Sequence, residues 1–535
     1  MDRNNSIQKL KNEVFDLLVI GGGATGAGIA LDAASRGLKV ALVERDDFAS
    51  STSSRSTKMF HGGVRYLEKA ILNLDKENYN LVKEGLYERG LALKNNPHLS
   101  KTCQFITPLY SWYDLFKVYI GLKLYDFLSG RFSIGSSGYL SRFRVIKDFP
   151  QINQEGLKGA VTYYDGQFND ARVNLNIIKT AVKHGAVITN YMEVKSFIKD
   201  DGVISGVILE DKNSGEHFNF YGKNIVNATG AFSDALRKKS DNEVKELIKV
   251  SSGIHIVVDK KFSSDLGMMI PKTKDGRTLF ILPWENQTLI GTTDEPAKLS
   301  EHPKVSEKDI EYLLNHINKY FSVDIKRDDI KAYWSGLRPL VVDESKENTQ
   351  EILRIHKIEI DKNGLISVMG GKWTAYRAMA EQTVDMIVKT KNIKVKASQT
   401  SELKIFGADK YNFEYYKDIV KKYKLEEDVA LHLNRYYGDQ VDLVLDLANN
   451  NDLFQRIHPL YPFIKAEVIY SCKEEMVVSA MDFLARRIPL AMIDFHVTKE
   501  VLDEVIGLLA YELNWDEKRQ KQEKELVLLR LDEAI

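Results

Sequence analysis

The chain opens with two short apolar runs on either side of a segment with helical spacing. Phe15 to Ile20 is rich in β-forming residues and is followed at once by glycines, which predicts a buried parallel strand. Ala24 to Arg36 has small residues at helical spacing, and Gly37 stands where a helix commonly ends. Leu38 to Glu44 predicts a second strand. The pattern therefore predicts a strand–helix–strand unit at the start of the fold.

Strand-like and helical patterns alternate through the middle of the chain, and the last part is mostly helical and charged. Further strands are predicted in these runs: 202–211, 254–259, 278–284, 288–294 and 365–371. The last of them ends in glycines before a long helical pattern at 372–390, and 222–237 reads as strand, glycine turn and helix. The lysine-rich run 389–402 is the best linker, and helices dominate from about Phe406.

Composition narrows the class of protein. The 75 Lys and Arg residues balance 75 Asp and Glu residues, which disfavours nucleic-acid binding. Cys103 and Cys472 are the only cysteines, so neither a disulfide framework nor a cysteine-based metal site is expected. The polar N-terminus lacks a signal-peptide core, and no apolar run approaches the roughly 18–20 residues of a spanning helix. We expect a protein that is soluble or attached to one membrane face.

The glycine-rich turn indicates dinucleotide binding. Gly21, Gly23 and Gly26 match G-x-G-x-x-G, and with Ala24 and Thr25 they form the turn between strand and helix. The first glycine permits the tight turn, the second lets backbone approach a pyrophosphate, and the third lets the helix pack on the sheet. Glu44 closes the second strand, where a carboxylate can accept hydrogen bonds from ribose hydroxyls.

Two later turns favour FAD over NAD. Thr229 and Gly230 follow one strand, and Gly370 and Gly371 follow another, where they could approach a flavin. The fingerprint begins almost at the first residue, and no second strong fingerprint for a nicotinamide cofactor is present. Dinucleotide binding through FAD is therefore the prediction.

Cationic side chains recur beside glycines and other constrained positions. They are Arg55, Lys58, His61 and Arg65 with Tyr66, then His255, Arg338 before a proline, Arg354, and Lys372 with Tyr376 and Arg377. A lysine at a helix start opposes the helix dipole, which makes Lys372 unusual unless an anion is present. Several such cations suit a small dianion such as a phosphate ester, which arginine holds in bidentate fashion.

The motifs carry a family resemblance. "LVIGGGATGAGIALDAASRGLKVALVE", "TSSRSTKMFHGGVRYLE", "VNATGAFSD", "SGLRPL" and "GGKWTAYRAMAE" occur in the order found in FAD-dependent glycerol-3-phosphate dehydrogenases. The similarity spans about Phe15 to Thr390, and the tail with "MDFLARR" resembles that family's C-terminal domain. The resemblance implies oxidation of sn-glycerol 3-phosphate to dihydroxyacetone phosphate by hydride transfer to FAD, with a quinone as the next electron acceptor.

The resemblance also implies an architecture. It is an α/β fold with a Rossmann-like FAD-binding domain of the glutathione-reductase/amino-acid-oxidase-like superfamily, a mixed-sheet substrate domain and an all-helical C-terminal domain. Within residues 1–390, FAD-binding segments are expected at about 15–80, 160–240 and 350–390, interleaved with substrate-domain segments at 81–159 and 241–349. A linker is expected at 391–405 and the helical domain at 406–535.

Matching positions give the expected site. Substrate-binding residues are Arg65, Tyr66, Arg354 and Lys372, and the catalytic residues are His255 and Arg338. Besides Gly21, Gly23, Ala24, Thr25, Gly26 and Glu44, the expected cofactor-binding residues are Arg45, Ser53, Ser54, Lys58, His61, Gly62, Gly63, Thr229, Gly230 and Gly371. His255 is favoured as the general base because its ordinary pKa lies near neutrality, with Arg338 stabilising developing alkoxide charge. Arg338 as the proton acceptor is the alternative, and no metal site is expected.

Other activities remain open on the sequence. Related oxidases that pass electrons to oxygen carry an insertion after "GLRPL", and this chain runs on without one. An amine or hydroxy-acid oxidase on the same scaffold would need one carboxylate clamp rather than several cations, and a non-enzymatic FAD-binding protein is a further alternative. The tail has no D-x-[DN]-x-[DN]-G calcium loop.

A membrane surface is the expected partner for electron delivery. Ser111 to Ser133 is rich in aromatic and aliphatic residues, is interrupted by Lys117 and Lys123, and is followed by further cations. Such a segment suits an interfacial helix, and an ordinary core helix is the competing interpretation. The expected location is the cytoplasm, peripheral on the cytoplasmic membrane face, and a homodimer is compatible with the resemblance.

Overall fold

The computed structural model describes residues 1–64, 66–67, 74–271, 273, 276–342, 354–448 and 451–535. The predicted opening unit is present as the strand Leu17–Ile20, the helix Ala24–Ser35 and the strand Val40–Val43. Gly37 adopts a positive φ of 95° directly after the helix, as the pattern indicated.

A six-stranded sheet forms around this unit. In spatial order its strands are His356–Ile360, Ile366–Gly370, Ile225–Asn227, Leu17–Ile20, Val40–Val43 and Val187–Thr189. All neighbours pair in parallel except the first two, which are antiparallel. The carboxyl ends of the parallel strands therefore meet at one edge, which is where open α/β sheets bind ligands.

Helices and a small sheet cover the two faces. The helices Ala24–Ser35, Asp170–Lys183 and Tyr376–Lys391 pack together in one apolar cluster on one face. An antiparallel sheet of Met192–Asp200, Val203–Asp211 and His217–Tyr221 packs on the other face, together with the helix Arg3–Asn12. The short helix Ser233–Ser240 follows the turn at Gly230.

A ten-stranded sheet contains strands from both segments, 81–159 and 241–349, that the sequence assigned to a substrate domain. Its main path runs Glu295–Pro296, Ile248–Asp259, Gln287–Gly291, Leu279–Trp284, Gly267–Ile270, Ser100–Leu109, Gly159–Phe168 and Met59–Phe60. Ile330–Val341 pairs with Ile248–Asp259, and Gly138–Ser141 pairs with Gly159–Phe168. Gly159–Phe168 and Met59–Phe60 thus belong to this sheet, although both fall in or beside segments expected to bind FAD.

Helices flank the ten-stranded sheet. They are Lys76–Asn95, Trp112–Ser129, Arg142–Asp148 and Glu307–Ile317. Among the described residues, none of the helices is both long and apolar enough to cross a bilayer.

The last part of the chain is helical. Its helices are Tyr416–Tyr423, Glu427–Tyr437, Val441–Leu447, Lys465–Glu474, Ala480–Asp482, Leu490–Ile493, Phe495–Leu513 and Glu517–Asp532, with a π-helical turn at Phe483–Arg487. The predicted linker is not a free tether, because Ser398 donates to Asp32 over 2.5 Å and Asn95 donates to the Thr400 carbonyl over 3.2 Å.

Buried ion pairs join the helical part to the rest of the chain. Arg487 contacts Asp47 at 2.8 Å, and Arg172 contacts Glu475 at 2.8 Å. Both pairs are almost completely removed from solvent, so removing either partner would leave an uncompensated buried charge. The helical part is therefore fixed against the residues that follow the strand Val40–Val43.

Candidate active site and cofactor cavity

The glycine turn is built so that two of its residues must lack a side chain. Gly21 has φ of +110°, and a Cβ there would lie 2.7 Å from the Ala228 carbonyl oxygen. A Cβ on Gly26 would lie 1.9 Å from the Gly21 carbonyl oxygen. These contacts bring the turn, the helix Ala24–Ser35 and the neighbouring strand together closely, as the fingerprint requires.

Glu44 holds the turn from the end of the second strand. Its carboxylate accepts hydrogen bonds from the Gly22 N–H at 2.6 Å and from the Asp46 N–H at 3.0 Å. Burial raises the pKa of Glu44, and the nearby Asp46 carboxylate adds to that rise. Ser53 completes this corner by accepting a hydrogen bond from the Ala24 N–H at 3.0 Å.

A cavity of about 530 Å³ opens at this edge of the sheet. Its lining includes these predicted cofactor and substrate positions: Gly21, Gly23, Ala24, Thr25, Glu44, Arg45, Ser53, Thr229, Gly230, Gly371 and Lys372. The cavity therefore collects residues from three segments that are far apart in the sequence, all at the carboxyl ends of parallel strands.

Six other predicted cofactor positions do not line this cavity: Gly26, Ser54, Lys58, His61, Gly62 and Gly63. Gly26 packs beneath the turn. Lys58 is buried and donates to Asp170 at 2.7 Å and to the Ser54 carbonyl at 2.6 Å. Gly62 is packed so tightly that a Cβ would lie 2.4 Å from Leu86. Gly26, Lys58 and Gly62 are therefore packed or hydrogen-bonded within the protein rather than exposed to the cavity.

Arg338 and Arg354 meet at one carboxylate. Arg338 donates to the Ser252 carbonyl at 3.0 Å and to the Thr292 hydroxyl at 2.9 Å, and its Nη1 lies 3.3 Å from Asp294. Arg354 Nη2 lies 3.6 Å from the other oxygen of Asp294. The structure thus brings together two residues that the sequence assigned separately, and Asp294 joins them.

His255 lies on the strand Ile248–Asp259, and the side chain of Arg338 extends from the neighbouring strand across it. Its Nε2 lies 3.0 Å from the Thr57 hydroxyl, and its ring stacks on Trp334 at 5.3 Å. Burial, with the Arg338 and Lys58 charges as further causes, lowers the pKa of His255 well below its ordinary value. The imidazole is therefore neutral at physiological pH and can accept a proton without first losing one.

Lys372 approaches the cavity from the turn before the helix Tyr376–Lys391. Its Nζ lies 4.2 Å from the centre of the Tyr66 ring, and a Cβ on Gly63 would lie 3.5 Å from that Nζ. The Gly371 N–H donates to the Ile355 carbonyl at 2.9 Å, which brings Lys372 near Arg354. The predicted substrate residue Arg65 lies outside the described residues.

Several polar residues of the site were not assigned from the sequence. They are Thr57 beside His255, Asp294 between two arginines, Arg486 from the helical part, and Arg55, which was noted as a cation without a role. Asp294 and Thr57 become partners only through pairing of distant segments. No local motif could have identified them.

The cavity fits an FAD molecule on its own geometry. Gly23 is the N-cap of the helix, and a Cβ there would lie 2.9 Å from Ser53 Oγ, so the glycine keeps the backbone free to approach a pyrophosphate. Glu44 presents a carboxylate where the ribose hydroxyls of a dinucleotide are recognised. Gly230 and Gly371 supply two further side-chain-free walls with φ of +58° and +87°.

Similarity to known proteins identifies the family to which the chain belongs. FAD dependent oxidoreductases match residues 16–377, and the C-terminal domain of alpha-glycerophosphate oxidase matches residues 398–520. The mitochondrial glycerol-3-phosphate dehydrogenase of Rattus norvegicus is 45% identical over 98% of this chain and 74% of its own length. The human mitochondrial glycerol-3-phosphate dehydrogenase is 44% identical over 96% of this chain and 72% of its own.

Solved structures agree with this membership. Glycerol-3-phosphate dehydrogenase from Bacillus halodurans, complexed with FAD, has a TM-score of 0.82 and 31% identity, and covers 99% of this chain and 97% of that one. L-alpha-glycerophosphate oxidase from Mycoplasma pneumoniae shares only the fold, with 16% identity and a TM-score of 0.55 over 72% of this chain and 97% of that one. The predicted fold class and cofactor are confirmed: the chain belongs to the FAD-dependent glycerol-3-phosphate dehydrogenase family, and its cofactor is FAD.

Proposed function

We propose that the protein oxidises sn-glycerol 3-phosphate to dihydroxyacetone phosphate and passes the electrons to a quinone. The relatives' names supply the substrate. The observation that carries the proposal is the pair of arginines, Arg338 and Arg354, that meets at Asp294, with His255 buried and close enough to Arg338 for burial and that charge to lower the pKa of His255. Two guanidinium groups with one shared carboxylate leave a local positive charge, and Lys372 adds a further cation at the cofactor cavity, which suits a phosphate dianion.

The residues divide into two tasks. Arg354 and Lys372, with Arg65 as the expected further contact, bind and orient the phosphate ester. His255 removes the proton from the C2 hydroxyl, and Arg338 stabilises the oxygen as negative charge develops on it. When bound, FAD supplies a two-electron acceptor for the hydride that leaves C2.

His255 is favoured over Arg338 as the proton acceptor. The imidazole is neutral because burial and two nearby cations disfavour its charged form. Arg338 instead donates hydrogen bonds to two carbonyls, a hydroxyl and a carboxylate, and a guanidinium stays protonated in proteins, so it has no lone pair with which to accept a proton.

The reaction is tested by mixing the anaerobic holoenzyme with sn-glycerol 3-phosphate and following loss of the oxidised flavin absorbance. The mirror-image sn-glycerol 1-phosphate and unphosphorylated glycerol are matched controls, and neither should reduce the flavin at a comparable rate. Reoxidation is then measured in parallel with a quinone analogue and with oxygen. Fast reoxidation by oxygen alone would favour the oxidase alternative.

We also propose that the protein reaches its quinone by docking on one face of a membrane. The helix Trp112–Ser129 buries Leu122 and Tyr125, while Trp112, Phe116 and Phe127 project to solvent with 61%, 66% and 80% of their surfaces exposed. Phe143 of the next helix is 79% exposed. Singly exposed apolar residues are common, but a cluster of large ones is typical of an interaction surface.

The docking prediction also has an electrostatic part. The prediction includes Lys117 and Lys123 of this helix, which are exposed, and Lys123 also donates to the Ser137 carbonyl at 2.5 Å. Exposed cations nearby are Arg131, Arg142, Arg144 and Lys147. We propose that these cations, together with Lys117 and Lys123, supply the electrostatic part of docking.

A further inference from the structure

Arg55 is a buried arginine for which the described part of the chain offers no counter-ion. It is 7% exposed and lines the cofactor cavity. Its one hydrogen bond within the described part of the chain runs from Nη1 to the Ser335 carbonyl at 3.2 Å, which leaves the rest of the guanidinium fork unused. No carboxylate of the described residues forms an ion pair with Arg55, so none of them compensates its charge in the cavity wall.

Two neighbouring arginines increase the free-energy cost of burying the Arg55 charge. Burial, with the charges of Arg486 and Arg530 as further causes, lowers the pKa of Arg55 to about 10. Each of these neighbours has a carboxylate partner: Arg486 contacts Asp482 at 2.8 Å and shares Asp47 with Arg487, and Arg530 contacts Glu533 at 2.7 Å. Arg486 and Arg530 also line the cavity. Among the described residues, Arg55 is therefore the arginine of the cavity lining that lacks a carboxylate partner.

We propose that Arg55 binds a phosphate oxyanion in this cavity, and that the oxyanion is the pyrophosphate of FAD. A buried unpaired charge persists in a fold where a ligand compensates it, and a guanidinium fork matches two phosphate oxygens. Two residues earlier, Ser53 contacts the first N–H of the helix that begins at the glycine turn. Arg55 thus joins the glycine turn as a second, side-chain contribution to pyrophosphate binding.

The phosphate of the substrate is the other oxyanion that Arg55 could bind. Equilibrium binding measurements distinguish it from the FAD pyrophosphate. Apoprotein is titrated with FAD and with ADP, which carries the pyrophosphate without the flavin, and holoprotein is titrated with sn-glycerol 3-phosphate. In Arg55→Met we expect Kd for FAD and ADP to rise about 10- to 100-fold, as for loss of one charge-assisted interaction. The affinity for sn-glycerol 3-phosphate should stay within about twofold.

Thermal unfolding supplies a readout independent of turnover. Removing an unpaired buried charge should leave the Tm of the Arg55→Met apoprotein unchanged or raised, while the increase in Tm caused by FAD shrinks. Arg456→Met is the matched control, because Arg456 is paired with Asp428 and Glu426 away from the cavity. Its FAD affinity should equal that of the unmodified protein.

Two results would overturn the assignment. Unchanged FAD and ADP affinities in Arg55→Met would show that Arg55 does not bind the pyrophosphate, and a loss confined to sn-glycerol 3-phosphate would assign it to the substrate. Arg55→Lys covers the case in which the methionine variant does not fold. It keeps the charge but loses the fork, so its FAD affinity should fall less while the salt dependence of that affinity is retained. A lysine variant with unaltered FAD affinity would count against bidentate binding.

Discussion

The guanidinium of Arg338 lies over Gly253, so closely that a Cβ on Gly253 would come within 2.0 Å of Nη2. The two residues belong to the paired strands Ile248–Asp259 and Ile330–Val341, two positions apart in register, because Ser251 stands opposite Arg338. The absence of a side chain at position 253 is what lets Arg338 cross the neighbouring strand and approach His255. The strand glycine is therefore part of the site.

Gly253→Ala should displace Arg338 without removing any charge. We expect kcat for sn-glycerol 3-phosphate oxidation to fall by about 10- to 100-fold, because misplacement of a stabilising group by about 1 Å has effects of that size. The flavin content should be unchanged, because Gly253 does not line the cofactor cavity. Gly507→Ala is the control, since a Cβ there meets nothing within 4 Å. Equal activity in the two variants would show that the reaction does not depend on the position that Gly253 allows Arg338 to adopt.

Sequence reasoning succeeded where the signal is local. The glycine turn, Glu44 at the end of the second strand, and Lys372 at a strand-to-helix turn each carry their meaning within a few residues, and all line one cavity. Sequence reasoning was less informative where the sheet to which a strand belongs depends on which distant strand it pairs with. Gly159–Phe168 has no local feature that shows it pairs with Ser100–Leu109 rather than with the cofactor sheet.

The same limit applies inside the site. Gly253 and Gly291 look like ordinary strand glycines in the sequence, yet a Cβ on Gly291 would lie 2.3 Å from the His255 ring. Both create space for a side chain on a neighbouring strand. That requirement appears only once the register of the strands is known, which is why these positions were not among the predicted site residues.

His255→Ala should slow anaerobic flavin reduction by sn-glycerol 3-phosphate on the order of 10²–10⁴-fold. The sequence predicts a pH dependence near neutrality, but the pKa of the buried imidazole is well below 6.5. The acid limb of the rate profile should accordingly lie below pH 6.5, with the rate falling as pH decreases because protonated His255 cannot act as a base. A stopped-flow series in pH tests this. If the variant keeps both the rate and the acid limb, the base is another group.

Lys372→Met should weaken substrate binding rather than the fold. The methionine keeps much of the stem that packs over Tyr66 but removes the ammonium, so KM should rise about 10- to 100-fold, as expected for one charged hydrogen bond. The flavin spectrum and the Tm should stay nearly the same. Lys389→Met, at an exposed position late in the same helix, serves as the control and should behave like the unmodified protein. A variant that unfolds would indicate a structural role for Lys372.

The buried His98, which contacts Asn176 away from the site, should make the free energy of unfolding sensitive to acid. Its Nε2 lies 3.1 Å from the Asn176 amide nitrogen and must accept, and burial, together with the charge of Arg172, lowers the pKa of His98 to about 3. The unfolded chain therefore binds the proton more tightly, and stability present above about pH 6.5 is lost as pH falls. Between pH 7.5 and pH 5 the loss is about 2 kcal/mol. Urea unfolding of His98→Gln should show a correspondingly smaller loss, whereas parallel curves would contradict the assignment.

The exposed apolar surface of the helix Trp112–Ser129 predicts binding to lipid without insertion of a spanning segment. Phe116, Ile120 and Phe127 are exposed on the helix, so replacing all three with serine should leave the core contacts of Leu122 and Tyr125 intact. Anionic liposomes should pellet the unmodified protein at low salt but not the triple variant, and high salt should weaken pelleting only in part, because apolar burial is insensitive to screening. Quinone reduction in liposomes should fall with pelleting, while reduction of a soluble dye should not. Tyr511→Ser, which alters an equally exposed aromatic residue in the helical part, is the control. Full quinone activity in a triple variant that no longer binds liposomes would separate the two activities and contradict docking as the route to the quinone.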